Sequence, residues 1–255
     1  MSIEPRAPRL AVLIDADNAS ARIAPGLFEE IAKIGEASVR RIYGDFSSSR
    51  SKSWSEILAK HAINPQHSIA YTVGKNASDI ALVIDAMDLL HSGRFDGFCL
   101  VSSDSDFTAL AARIREQGVD VYGFGEQKTP ESFRQACRRF IYTENLLPEA
   151  PAPGAPEKPD ARPSSAVQPP SEAVQLLRRA HAQLDDGDGW VALGRIGQRL
   201  PELSSDFDPR TYGCARLSDL VEKSGAFEID RSRGQTLYIR QKLPIRAKPK
   251  VDTKA

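Results

Sequence analysis

The sequence predicts an α/β protein, a mostly parallel sheet with helices on both faces, followed by a small second domain. Three observations carry this. Short apolar runs alternate with amphipathic stretches over the first 147 residues, a proline-rich segment follows, and the pattern after it changes to helices and then a hairpin. Strands alternating with helices imply βαβ units and a parallel sheet covered on both faces.

The first run, Leu10-Ala11-Val12-Leu13-Ile14, is continuously apolar. That is the pattern of a strand buried on both faces. Further strands are expected at Val39 to Tyr43, Ile69 to Val73, Phe98 to Val101 and Val119 to Phe124. Helices are expected at Pro25 to Ile34, Ser53 to His61, Ser78 to Leu90, Phe107 to Glu116 and Pro130 to Phe140. Pro25 suits a first helical turn, and Gly35 and Gly118 sit where C-caps are expected.

Composition shifts near Pro148: from there to Pro170 lie eight of the chain's 17 prolines, with almost no large apolar residue. Such a stretch builds no core and is expected to act as an extended spacer. The expected organisation is therefore a first domain over 1–147, a linker over 148–170, a second domain over 171–241 and a basic disordered tail over 242–255. In the second domain Val174 to Leu184, Gly194 to Leu200 and Leu217 to Ser224 read as helices. Phe227 to Ile229 and Thr236 to Ile239 alternate like strands around a turn-prone segment. Three helices and a hairpin outline a winged helix.

Charge and cysteine content narrow the setting. Lys and Arg balance Asp and Glu at 34 each, so bulk charge names no partner. Past Arg240 the chain carries Lys242, Arg246, Lys248, Lys250 and Lys254 against Asp252 alone, a basic end suited to phosphates or simply to water. Cys99, Cys137 and Cys214 are far apart and odd in number, which argues against a disulfide framework and a zinc site. The first nine residues have no signal-peptide character, and no segment reaches the roughly 20 apolar residues of a membrane span. A reducing, cytoplasmic setting is expected.

The chemistry is expected at the carboxyl ends of the strands, where ligands bind in open parallel sheets. Asp15-Ala16-Asp17-Asn18 directly follows the first strand, and Ser102-Ser103-Asp104-Ser105-Asp106 the fourth; Asp79 opens the helix after the third. Each alone is equally a cap or a turn, and Ser103 or Asp104 is a natural cap for the helix near Phe107. Together they crowd carboxylates that repel one another, a conflict a divalent cation removes. Hard oxygen ligands suit Mg2+ or Mn2+, which polarise a phosphoryl oxygen and lower the pKa of a bound water. His61, His67 and His91 fall at helix ends or in loops, where a solvated imidazole is expected.

Three motifs then carry a resemblance. Leu13-Ile14-Asp15-Ala16-Asp17-Asn18, the stretch from Gly74-Lys75-Asn76-Ala77-Ser78-Asp79 to Asp88, and Val101-Ser102-Ser103-Asp104-Ser105-Asp106-Phe107 resemble the motifs of the NYN domain, of the PIN-like nucleases. The resemblance covers about Leu10 to Asn145. It implies a Rossmann-like fold and metal-dependent endoribonuclease activity, with Asp15, Asp79, Asp104 and Asp106 as metal-binding acids. It also implies that Asn18 orients a ligand or water and that Ser103 meets a phosphate oxygen or a metal water. Asp85 lies six residues past Asp79, roughly 240° round a helix, so the two do not face one ion.

Substrate contacts are expected from Lys75, four residues before Asp79, and from Arg50 and Lys52 beside Phe46 and Trp54. Cations with aromatics suit single-stranded RNA, whereas Trp54 alternatively packs inward. In the second half, Phe207 to Val221, with Tyr212-Gly213-Cys214 and Leu217 at its centre, followed by Phe227 and Tyr238-Ile239, resembles the LOTUS (OST-HTH) winged-helix domain. That resemblance implies RNA binding, with Arg210, Arg216, Arg231 and Arg233 meeting phosphates or remaining solvated.

The leading expectation is a metal-dependent ribonuclease that cleaves RNA phosphodiesters by metal-activated water and carries an appended RNA-binding domain. A non-catalytic RNA-binding adaptor with a vestigial acidic pocket is the alternative. A third reading takes Asp15 and Asp17 as the nucleophile and acid of a haloacid-dehalogenase-type phosphatase, although no room for its cap is apparent.

Overall fold

The computed structural model describes residues 6–44, 46, 53–67, 77–147, 167–232 and 236–242. The chain divides into two compact units, the first of residues 1–167 with 204–211 and the second of 168–203 with 212–255.

The first unit is built on a six-stranded, wholly parallel sheet. Its strands are β1 (Arg9–Asp15), β2 (Glu36–Gly44), β3 (Asn64–His67), β4 (Gly97–Val101), β5 (Asp120–Gly125) and β6 (Arg139–Tyr142), in the order β3-β2-β1-β4-β5-β6. The chain works outward from β1 to β3, then returns to the other side of β1 for β4. The strand order therefore reverses between β1 and β4, and that crevice is where a ligand is expected.

Helices α1 (Ala24–Ala32), α2 (Ala77–His91), α3 (Phe107–Glu116) and α4 (Glu131–Ala136) cover the faces. The alternation of β1 assigns the two cores. Ala11 and Leu13 point to one face with Leu82 and Leu89 of α2 and Phe107 and Leu110 of α3. Leu10, Val12 and Ile14 point to the other, against Leu27 and Ile31 of α1 and against Trp54. Every residue from Leu10 to Ile14 is inaccessible to solvent, which is why the run is apolar without alternation.

Several expectations need correction. The stretch Pro130 to Phe140 is not one helix. It holds α4, then turns at Cys137 and enters β6, which pairs with β5 from Tyr122↔Arg139 to Gly125↔Tyr142. Phe140, Ile141 and Tyr142 bury themselves at the sheet's end, so tertiary burial overrides the helical reading of a short apolar run. The third strand is Asn64–His67, paired with β2, while the expected Ile69 to Val73 lies outside the described residues. Ser53 to His61 forms a helical turn over 53–55 followed by turns. Gly118, at φ 77°, supplies the left-handed cap expected of it. Gly35 does not, and serves close packing instead: a Cβ there would stand 2.3 Å from the Pro8 carbonyl oxygen.

The second unit contains α5 (Val174–Leu184), α6 (Leu193–Leu203), α7 (Leu217–Ser224) and an antiparallel sheet of order β7-β9-β8. Its strands are β7 (Val191–Ala192), β8 (Phe227–Asp230) and β9 (Tyr238–Gln241), of which two-residue β7 was too short to read from sequence. Leu177, Ile196, Leu200, Leu220, Val221, Phe227 and Ile239 form its core. Tyr212 and Leu217, at the centre of the LOTUS-like stretch, are half-buried. Gly225, at φ 66°, ends α7.

Candidate active site

The β1–β4 crevice is acidic and wired by hydrogen bonds. Asp15, the last residue of β1, is 1% exposed. Its Oδ1 accepts the backbone N–H groups of Asp17 at 3.0 Å and Asn18 at 3.2 Å. Its Oδ2 accepts the Asn18 amide at 2.9 Å and the Ser102 hydroxyl at 2.7 Å. A carboxylate offers about four lone-pair directions, and all are used. Burial raises the Asp15 pKa above the usual carboxylate range, with the Ser102 and Asn18 bonds opposing it.

From β4 the chain leaves through Ser102 to Asp106 into α3. Ser102 is buried; its hydroxyl donates to Asp15 and accepts the Asp104 N–H at 3.1 Å. Asp104 in turn accepts the Asp106 N–H at 2.9 Å. Asp106 occupies the N-cap position of α3 without a side-chain capping bond, so its carboxylate is not consumed as a cap. The Ser103 hydroxyl accepts the Glu126 N–H at 2.8 Å, tying the β4 exit to the β5 exit. Ser102, to which the motif assigns no role, is thus the serine that meets Asp15; Ser103, expected at the chemistry, braces two loops.

Asp79 enters from the first turn of α2. Its pKa is pushed up to about 6, first by desolvation and then by the charges of Asp15, Asp104, Asp17 and Asp106. Five carboxyl groups therefore share one neighbourhood. The Ser78 hydroxyl donates to Asp17 at 3.1 Å, linking α2 to the β1 exit.

The donor set suits a hard divalent cation, and such an ion would relieve both the burial and the mutual repulsion that raise Asp79. The arrangement is not closed around one: among the described residues no three His, Cys, Asp or Glu side chains are set to hold a metal ion. Both Asp15 oxygens are engaged as well, so neither is free for nucleophilic attack of the phosphatase kind.

The remaining expected residues are dispersed. Asp85 faces Tyr43 and Arg41 rather than the acidic site. Trp54 is fully buried, its indole N–H donating to the Ala19 carbonyl at 2.9 Å; it packs inward and offers RNA no stacking face. Arg210 is held by Asp208 through Nε and Nη2 and by Glu30 at 3.1 Å. Arg216 is exposed at the N-cap of α7, and Arg231 is exposed with Glu222 at 3.3 Å. Arg50, Lys52, Lys75 and Arg233 lie outside the described residues. Of the histidines, His61 stacks on Phe28 at 5.1 Å, and burial with the charges of Lys60 and Arg40 lowers its pKa. Cys99, Cys137 and Cys214 are free and buried. No helix among the described residues is long and apolar enough to cross a membrane.

A parallel α/β sheet with carboxylates gathered at its strand-order reversal defines a Rossmann-like protein with an acidic candidate site. The sequence matches the NYN domain over residues 9–146 and the OST-HTH/LOTUS domain over residues 167–239. The chain belongs to the NYN domain family, within the PIN-like nuclease superfamily, and carries a LOTUS domain after it. These domains give it a nuclease-type or RNA-binding role.

Among solved structures, a protein of unknown function, VPA0982 from Vibrio parahaemolyticus, is similar at 18% identity and a TM-score of 0.45, over 55% of this chain and 95% of that one. An uncharacterized protein from locus NE0665 of Nitrosomonas europaea shares 32% identity over 37% of this chain and 93% of that one, at a TM-score of 0.27. The WlbA dehydrogenase from Bordetella pertussis aligns at 15% identity and a TM-score of 0.32, covering 72% of this chain and 42% of its own. No curated protein matches the sequence.

Proposed function

We propose that the chain is a divalent-metal-dependent endoribonuclease that cuts single-stranded RNA, presented to it by the LOTUS domain. The observation that carries this reading is the gathering of Asp15, Asp17, Asp104 and Asp106 around Asp79, whose pKa is pushed up to about 6 by burial first and by those four charges next. Clustered carboxylates at neutral pH are costly to keep, and a site without chemistry has no use for them.

Asp79, Asp104 and Asp106, with Asp15 behind them, would hold Mg2+ or Mn2+. When bound, such an ion supplies positive charge to a phosphoryl oxygen and makes a neighbouring water more acidic. Asn18 and Ser102 fix the Asp15 carboxylate, and the Asp104 side chain orders its own loop through the Asp106 amide. Arg216 and Arg231 of the second unit, together with Arg50, Lys52, Lys75 and Arg233, would meet RNA phosphates, Arg231 by exchanging its exposed pairing with Glu222. A proline-rich link over 148–170 would keep RNA held by one domain at high local concentration for the other. A reducing cytoplasm suits the three buried thiols.

A second reading, the RNA-binding adaptor, is favoured by two observations: no three side chains are arranged to hold an ion among the described residues, and Asp15 is saturated with hydrogen bonds. One experiment separates them. Labelled single-stranded RNA is incubated with the full chain and Mn2+, beside Asp104→Asn. The nuclease reading expects cleavage by the wild type, loss of it in the variant and unchanged RNA binding. Binding without cleavage by the wild type would establish the adaptor.

A further inference from the structure

Asp85 is an acid of the α2 motif that faces away from the site. Six residues separate it from Asp79, about 240° of helical rotation, and its carboxylate serves another purpose. Its Oδ2 accepts the Tyr43 hydroxyl at 2.5 Å, and its Oδ1 meets the Arg41 guanidinium at 2.5 Å. Arg41 and Tyr43 are alternate residues of β2 and share one face of the sheet, the face that α2 covers.

Tyr43 is itself placed by the site. It is 1% exposed, stands beside Asp15 in the β1–β2 register, and its carbonyl accepts the Ala16 N–H at 2.8 Å. The strand residue next to Asp15 thus grips, through its ring hydroxyl, the helix that carries Asp79. On the other side of Asp79, the Ser78 hydroxyl reaches Asp17. The helix is tied at Ser78 and at Asp85, on either side of the carboxylate.

Directional ties are required here. Leu82, Ala86, Leu89 and Leu90 bury α2 against the sheet, but apolar contact is non-directional and does not by itself fix a helix's position along its axis. Repulsion among the five carboxylates pushes the first turn of α2 away from the strand ends, and bonds of defined geometry at Asp85 oppose that displacement.

We propose that Asp85, together with Tyr43 and Arg41, is a positioning clamp that holds α2 so that Asp79 stays within reach of Asp15 and Asp104. Its catalytic consequence rests on the nuclease reading above; its structural consequence does not.

The test uses the full chain with Asp85→Ala, Asp85→Asn and Tyr43→Phe, reading amide hydrogen exchange and Mn2+-dependent cleavage of a labelled single-stranded RNA. Exchange at 78–82 is expected to speed up about tenfold in Asp85→Ala and Tyr43→Phe, with α3 amides unchanged. A displacement of this kind lowers kcat by about 10- to 100-fold with KM nearly constant. Asp85→Asn keeps an acceptor for Tyr43 and is expected to recover part of both effects.

Unchanged exchange at 78–82 overturns the clamp, whatever happens to kcat, and so does acceleration spread evenly over both cores. Tyr43→Phe, which removes one oxygen, decides the matter should Asp85→Ala fail to fold. A wild type that cuts no RNA ends the nuclease reading, and exchange at 78–82 then decides the clamp alone.

Discussion

The Ser102 hydroxyl donates to Asp15 Oδ2 at 2.7 Å while accepting the Asp104 amide at 3.1 Å, so one buried oxygen joins the ends of β1 and β4. The acidic site is thereby built across the point where strand order reverses, rather than on a single loop.

Removing that oxygen has a calculable effect. Ser102→Ala leaves a buried carboxylate short of one donor, and a hydrogen bond to a charged group is worth about 1.5–3 kcal/mol. Urea unfolding at pH 7.5 is expected to show a loss of this size. Ser103→Ala, which frees only the Glu126 amide, is expected to cost less.

Asp79 makes stability fall with pH. Its folded pKa of about 6 lies above the ordinary value of 3.8, so between those values the native state holds more protons than the unfolded chain, and stability declines as pH rises through the window. Asp79→Asn removes the carboxylate repulsion. Its melting temperature is expected to exceed the wild type's at pH 7.5 and to match it near pH 4. Equal melting temperatures at both pH values would contradict the raised Asp79 pKa.

A divalent cation is expected to reverse the same penalty. Ligand binding to the native state alone stabilises it by RT ln(1 + [L]/Kd). Millimolar Mn2+ is expected to raise the wild-type melting temperature, with a smaller rise for Asp104→Asn. Calorimetric titration of the two proteins gives the affinities directly.

Trp54 is a core residue by position. Truncating a buried Trp costs about 3–5 kcal/mol, so Trp54→Ala is expected to unfold at markedly lower urea. In Trp190→Phe protein, where Trp54 is the remaining indole, single-stranded RNA is expected to leave the fluorescence spectrum unmoved.

The exposed cations of the second unit are tested by salt. Each phosphate contact contributes about 0.7 to the slope of log affinity against log salt for single strands. Arg216→Ala and Arg231→Ala are each expected to lower that slope, and Arg210→Ala, whose guanidinium is spent on Asp208 and Glu30, to leave it unchanged.

The central strands were legible because a strand buried on both faces leaves a continuous apolar run, and β1 and β4 carry that signature. Asp15 and Asp104 were legible for the same reason, since they directly follow such runs. β6 was not, because a four-residue strand at the sheet edge has the same local composition as a helix end. Ser102 and Ser103 are indistinguishable locally; only the positions of Asp15 and Glu126, far away in sequence, tell them apart.

The amino-acid sequence by itself determined which segments form the α/β unit and the winged helix, because burial patterns and turn residues act over short range. It also determined which acids reach the carboxyl ends of β1 and β4. The tertiary structure alone decided where each of those side chains is spent. It turned Ser103 toward a loop, sent Trp54 into the core, gave Arg210 to carboxylates and assigned Asp85 to Tyr43 and Arg41. Apart from the Asp208 half of the Arg210 pairing, those outcomes depend on partners more than twenty residues distant, brought near by strand register and helix packing, and no local pattern encodes a partner's direction.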